Sequence, residues 1–279
     1  MKYFSKDRLC NFNIHYEAFY PFHYFCECME KLGLTNAELI AGHQSIFMDH
    51  RHIGDLTQQK RLLREHGIRV GSLCAQSCRF QYQFAAKEKE LNDMSFGFFT
   101  NGIRVAAELG APLLQVNTGW GYMNEPKEEV FKRVVDSMQR LCAFAEPYGI
   151  KICCESLRPQ ESLVGATVKD IRRLFDAVNH PSFKVMIDTC AMGVSGETIQ
   201  DWFAAFDAKD IIHTHFQDGT PYFHLVWGEG KRSLEEDLRT LYENGYHGLL
   251  SQELTLASYY QDPFACDQRS LEAYSEYIY

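Results

Sequence analysis

Four side chains able to bind a cation or move a proton fall, one each, at the ends of four successive apolar runs. They are Glu155 after 151–154, Asp188 after 183–187, His215 after 211–214 and Glu253 after 249–252. Three carboxylates and one imidazole gathered into a small volume would repel each other without a cation, so the pattern points to a divalent metal site. The donor set is fairly hard. It suits one manganese ion first, with magnesium, cobalt or zinc as the other candidates. An ion with open positions could chelate adjacent oxygens of a sugar or polyol, polarise a carbonyl and stabilise the enediolate formed on deprotonation. Glu155 and Glu253 leave different runs and could flank such a ligand, one removing a proton and the other returning it on the opposite face.

Convergence of those four residues depends on the elements that carry them. Runs of strand length occur at 9–13, 37–41, 69–74, 113–117, 151–155, 183–188, 211–215 and 249–253. Helical periodicity occupies 22–32, 56–66, 88–109, 127–148, 168–178, 198–206, 234–243 and 263–277. Gly33, Gly67, Gly110, Gly149 and Gly245 each follow a periodic run and fit a left-handed helix stop. Eight strands alternating with eight helices, without a break in composition, define an α/β chain whose residues 1–279 form one (β/α)8 TIM barrel. In that fold the ends of successive strands converge on one face, where active sites sit. An open doubly wound sheet is the runner-up, but no glycine-rich phosphate turn follows the first strand. Any one of the four residues could instead cap the helix after its strand. Independent capping, however, does not select Glu and His together at equivalent strand ends.

Composition narrows the partners. The 279 residues are 46% hydrophobic and 23% charged, with a formal charge of -9, so a nucleic-acid partner is disfavoured. Nothing approaches a membrane-spanning run and the start lacks a signal-peptide core, so a soluble, cytoplasmic protein without membrane contact is expected. The ten cysteines lack zinc-knuckle spacing and read as reduced, mostly buried thiols. The aromatic group Phe19, Tyr20, Phe22, Tyr24 and Phe25 reads as core or as a subunit interface, the latter within a homodimer or homotetramer.

Further side chains could meet a small-molecule sugar. His224, ahead of Trp227 and the Gly228-Glu-Gly turn, suits a substrate hydrogen bond or a turn-fixing role. Trp120 follows the fourth strand and could stack on a sugar ring or simply pack its loop. His43, after the second strand, is a weaker substrate contact. His213 shares the strand face of His215 and lies one layer deeper, as a core or supporting histidine.

Several of these segments carry a family resemblance. Glu155-Ser-Leu-Arg-Pro-Gln-Glu-Ser, Asp188-Thr-Cys-Ala, His215-Phe-Gln-Asp-Gly, His224, Gly228-Glu-Gly and Gly248-Leu-Leu-Ser-Gln-Glu-Leu resemble the xylose-isomerase-like sugar (phosphate) isomerase/epimerase superfamily. Within it the chain most resembles the fructoselysine 3-epimerase branch, then the ketose 3-epimerases. The resemblance implies a metal held at Glu155, Asp188, His215 and Glu253, with Glu155 and Glu253 also the acid/base pair and Glu161 a substrate contact. Ketose 3-epimerases carry a histidine where this chain has Ala191 and an arginine where it has Pro221. Both changes count against a free ketohexose. The superfamily's endonuclease branch needs an aspartate where Tyr222 stands.

The expected activity is therefore metal-dependent epimerisation or isomerisation of a keto-sugar or sugar conjugate. Dehydration of a cyclic keto-polyol through the same enolate is the rival chemistry. A non-catalytic sugar-binding barrel is the alternative without chemistry.

Overall fold

Short apolar runs set between helices become strands buried on both faces, because a parallel sheet covered by its own crossover helices leaves neither face to water. The computed structural model describes residues 1–78 and 80–279. Its strands are β1 (Leu9–Phe12), β2 (Asn36–Ala41), β3 (Arg69–Ala75), β4 (Leu113–Asn117), β5 (Lys151–Glu155), β6 (Phe183–Asp188), β7 (Ile211–His215) and β8 (Leu249–Gln252). Each pairs in parallel with the next, and β8 pairs back onto β1, closing a (β/α)8 barrel.

The helices are α1 (Ile14–Glu17), α2 (Phe22–Leu32), α3 (Thr57–Glu65), α4 (Lys89–Leu109), α5 (Lys127–Ala145), α6 (Val168–Val178), α7 (Thr189–Val194), α8 (Ile199–Ala205), α9 (Leu234–Glu243) and α10 (Pro263–Tyr274). Four strands and three helices coincide with the expected bounds; most of the remaining ends differ by one to three residues. The helix expected through 148 ends at Ala145, and a 3-10 turn over Glu146–Tyr148 carries Pro147, which cannot donate to the ladder. Two helices, α1 and α7, were not legible, since four and six residues hold too little of the helical period to read. The five glycine stops all adopt positive φ, and Gly33 at φ 64° bonds back to Met29 and Glu30 carbonyls.

The large core lies between barrel and helices, with Phe25, Met29, Phe98, Phe99 and Trp202 almost fully buried. A smaller cluster of Leu113, Cys153 and Met186, with Ile212 against it, fills the barrel interior. Closure places the site residues at one end. Asp188 pairs with His215, and His215 pairs with Ser251, two residues before Glu253. Among the described residues no helix is long and apolar enough to cross a membrane.

The closing seam has its own clasp. Asn11 of β1 pairs with Gln252 of β8. Both side chains donate to Asp267 of α10, at 2.7 Å and 2.9 Å. His15 (2.8 Å) and the Tyr16 hydroxyl (2.6 Å) fill the remaining acceptor positions of this buried carboxylate. Asp267→Ala removes one charged hub and leaves four buried donors unmet. It should lower the unfolding free energy by roughly 3–5 kcal/mol, checked by urea denaturation; a loss under about 1 kcal/mol would show that the seam does not depend on it.

Candidate metal centre

Each functional side chain stands where a strand gives way to its loop. Glu155 ends β5, Asp188 ends β6, His215 ends β7 and Glu253 follows β8. They open into a cavity of about 400 Å³ at the C-terminal mouth of the barrel, lined also by Gln115, Arg158, Glu161, Tyr222, His224 and Thr255. A larger cavity of about 660 Å³ sits at the opposite mouth, among Asn36, Arg69, Leu113, Ile212 and Leu249, and none of the four strand-end residues lines it.

The donor atoms form two overlapping triads that share Glu253. In one, Glu155, His215 and Glu253 each present an atom within 4.8 Å of the others; Asp188, His224 and Glu253 form the second. His215 Nδ1 lies 2.6 Å from Glu155 Oε1 and 3.1 Å from Glu253 Oε2. Although so close, His215 Nδ1 and Glu155 Oε1 make no hydrogen bond, and both are buried without a partner. Two converging, unsatisfied lone-pair atoms beside a third carboxylate are what a cation would satisfy, so these residues fit a divalent metal. His224, expected only as a substrate contact, instead joins the acids, with Nε2 at 3.3 Å from Asp188 and 3.2 Å from Glu253.

Neighbouring amides orient the acids. Gln115 donates to Glu155 Oε2 at 2.9 Å, and Gln217 donates to Asp188 Oδ1 at 2.7 Å. Burial pushes the Glu155 carboxyl up to about 7, against the pull of His215. Burial also acts to raise Asp188, but His224, His215 and the Cys190 amide hold it down at about 2. Burial would lower His215, yet Glu253, Glu155 and Glu38 around it raise it well above the ordinary imidazole range.

Glu161 lines the cavity and is held by Arg158 (Nε–Oε2 2.8 Å, Nη2–Oε1 2.5 Å), so its carboxylate arrives already paired. Trp120 and His43 do not line the cavity, which corrects both as candidate substrate contacts. Trp120 packs in the loop after β4, its amide bonded to Gln83; His43 pairs with buried Glu17 at 2.8 Å. Glu38, Gln115, Arg158 and Gln217 were not picked out from the sequence. For Glu38 and Gln115 a signal existed: a polar residue inside a strand whose neighbours are all apolar.

A closed parallel barrel with carboxylates and imidazoles gathered at its C-terminal mouth defines a class of metal-site TIM barrel. Residues 27–269 match the family described as Xylose isomerase-like TIM barrel, and the chain belongs to that family. It is 25% identical over 254 residues to fructoselysine 3-epimerase of Shigella flexneri, covering 90% of this chain and 91% of that one. The fold superposes on D-allulose 3-epimerase of Methylomonas sp. with a TM-score of 0.81 at 17% identity, covering 99% of both chains. It superposes on the IOLI protein with a binding zinc atom at a TM-score of 0.77 and 21% identity, covering 97% of this chain and 99% of that one. Relatives and structural neighbours thus include epimerases acting on carbohydrates.

The raised Glu155 fixes a sign. A carboxyl raised in the fold stabilises it below the unfolded value near 4.5, and the contribution is lost as pH climbs through about 7. In chelator-treated protein, Glu155→Gln should therefore raise the melting temperature at pH 8 by roughly 2–4 °C per kcal/mol recovered, and leave it unchanged near pH 4. Scanning calorimetry at both values checks this; a drop at pH 8 would contradict the burial argument.

Proposed function

We propose that this chain is a divalent-metal-dependent epimerase that inverts a carbon next to the carbonyl of a keto-sugar or sugar conjugate, through an enediolate. The observation that carries the reading is the pair of carboxylates flanking one imidazole nitrogen, Glu155 at 2.6 Å from β5 and Glu253 at 3.1 Å beyond β8. Inversion needs a base on one face of the reacting carbon and an acid on the other. Carboxylates delivered from two separate strands meet that need, where two from one loop would crowd the same face.

Glu155, His215, Glu253 and Asp188 would hold the ion, manganese by preference for this oxygen-rich set. When bound, it would supply the Lewis acid that polarises the substrate carbonyl and balances the charge of the enediolate. The chain's own residues do the rest. One of Glu155 and Glu253 takes the proton and the other returns it. Gln115 keeps the Glu155 carboxylate turned so that Oε1 faces the cavity. The enclosed mouth keeps bulk water from the carbanion.

Beside the acids, Arg158 and Glu161 present a charged pair on the cavity wall, and Tyr222 and Phe223 stand more than half exposed near its lip. That wall suits a substrate extending past the sugar ring, such as the fructose-amino-acid conjugate named for the Shigella flexneri relative. Ala191, small and buried in the cavity lining, leaves room there.

The test is turnover of fructoselysine and related ketoses in deuterium oxide with added manganese. The product should carry one solvent deuterium at the inverted carbon by NMR and no other mass change. Glu155→Gln and Glu253→Gln should each lower kcat by about 10²–10⁴-fold. A product lighter by one water would replace epimerisation with dehydration, and full activity in either variant would remove the two-carboxylate mechanism.

A further inference from the structure

The acidic mouth leaves one buried charge unused. Glu38 of β2 is 0% exposed, yet it reaches His213 and His215 of β7, three strands away around the barrel, so its contacts cross the interior. Its Oε2 accepts from His213 Nε2 at 2.7 Å and from the Ser251 hydroxyl at 2.6 Å. Its Oε1 accepts from the Ser72 hydroxyl at 3.1 Å and faces His215 Nε2 at 3.4 Å. Four partners fill the lone pairs of one carboxylate, which leaves none for a cation of its own. The grouping of Glu38, His213 and His215 is therefore a support, although its atoms lie close enough to be taken for a metal triad.

Register and packing both serve this contact. Pairing of β2 with β3 shifts between Ala37 and Glu38, passing over Gly71 and setting Glu38 against Ser72. Pairing of β6 with β7 shifts between Val185 and Met186, passing over Ile212 and setting His213 against Met186. Such irregularities re-aim side chains beside functional sites. The His215 ring is also stacked on buried Phe12, with centroids 5.5 Å apart and planes at 21°. Its plane is fixed by Phe12, and its Nε2 edge is fixed by Glu38.

We propose that Glu38 is a positioning residue: by accepting the Nε2 proton of His215 it makes Nδ1 the atom that this histidine offers to a divalent cation. An imidazole with its proton on Nε2 carries its lone pair on Nδ1, and here Nδ1 is the atom turned to Glu155 and Glu253. The inference rests on the metal-dependent reading above, and concerns only how one ligand is held.

Long-range proton–nitrogen NMR on the wild-type protein loaded with zinc reads the tautomer directly. His215 should show a protonated Nε2 and a zinc-shifted Nδ1, with one zinc per chain. Competition titration of Glu38→Gln should show divalent affinity lowered by about 10–100-fold and a changed visible spectrum with cobalt. Ser251→Ala keeps the Glu38 charge but loosens its hold; it should weaken affinity less, and it serves if the first variant fails to fold. Zinc on Nε2, a second zinc per chain, or variants matching wild type in affinity and cobalt spectrum would overturn the role of Glu38 while leaving the metal centre standing. A wild-type protein that binds no divalent cation would remove both that role and the proposed function.

Discussion

The mouth of the barrel is organised around the repulsion of carboxylates that share too little water. Glu155, Asp188 and Glu253 are buried or nearly so, and each reaches an imidazole within 3.3 Å. Desolvation raises the energy of every ionised acid there, and neighbouring acids add to it. The protein answers with His215 and His224 between the acids, and with amides from Gln115 and Gln217 on the outer oxygens. Those partners quiet most of the charge, but Glu155 Oε1 and His215 Nδ1 stay unsatisfied, and an ion would complete them.

Only a rigid frame can hold groups in such conflict. The strands supply it, because parallel pairing fixes which residues stand level. Asn117 pairs with Glu155, and Asp188 pairs with His215. Glu253 has no partner in the ladder, since β8 ends at Gln252. Its place is set instead by the seam, where Gln252 is bound to Asp267, and by its own amide, 3.4 Å from Gln217 Oε1. The residue least fixed by the sheet thus depends on a helix packed outside the barrel.

The fold and the four strand-end residues were legible because each rests on a local pattern. Strands buried on both faces read as unbroken apolar runs, and a charged residue ending such a run stands out. Glu38 was overlooked for the converse reason: it lies inside a run, and its meaning depends on His213, 175 residues away. Trp120 and His43 were chosen by position after a strand and by side-chain type, which says nothing about which way a loop turns. In the structure the loop after β4 turns Trp120 toward the Gln83 side chain, and His43 is drawn to Glu17. Arg158 escaped notice because its role is to hold Glu161, a pairing made across three residues of irregular backbone.

The helix starts decide between structural and chemical roles for the strand-end acids. Where a strand runs straight into a helix, its last residue must serve the exposed amides. That happens once: Asp188 leads directly into α7 and accepts from the Cys190 amide at 2.8 Å and the Ala191 amide at 3.2 Å. After β5, β7 and β8 a loop intervenes, and other residues take the capping task. Thr167 accepts from the Asp170 amide ahead of α6, Ser233 from the Glu236 amide ahead of α9, and Asp262 from the Ala265 amide ahead of α10. Glu155, His215 and Glu253 are thereby released from capping, yet they remain buried and pointed at one another. A fold under no demand but stability would gain by replacing them with apolar or amide side chains. Their retention in so unfavourable an arrangement is accounted for by chemistry at the mouth, with Asp188 serving helix and site together.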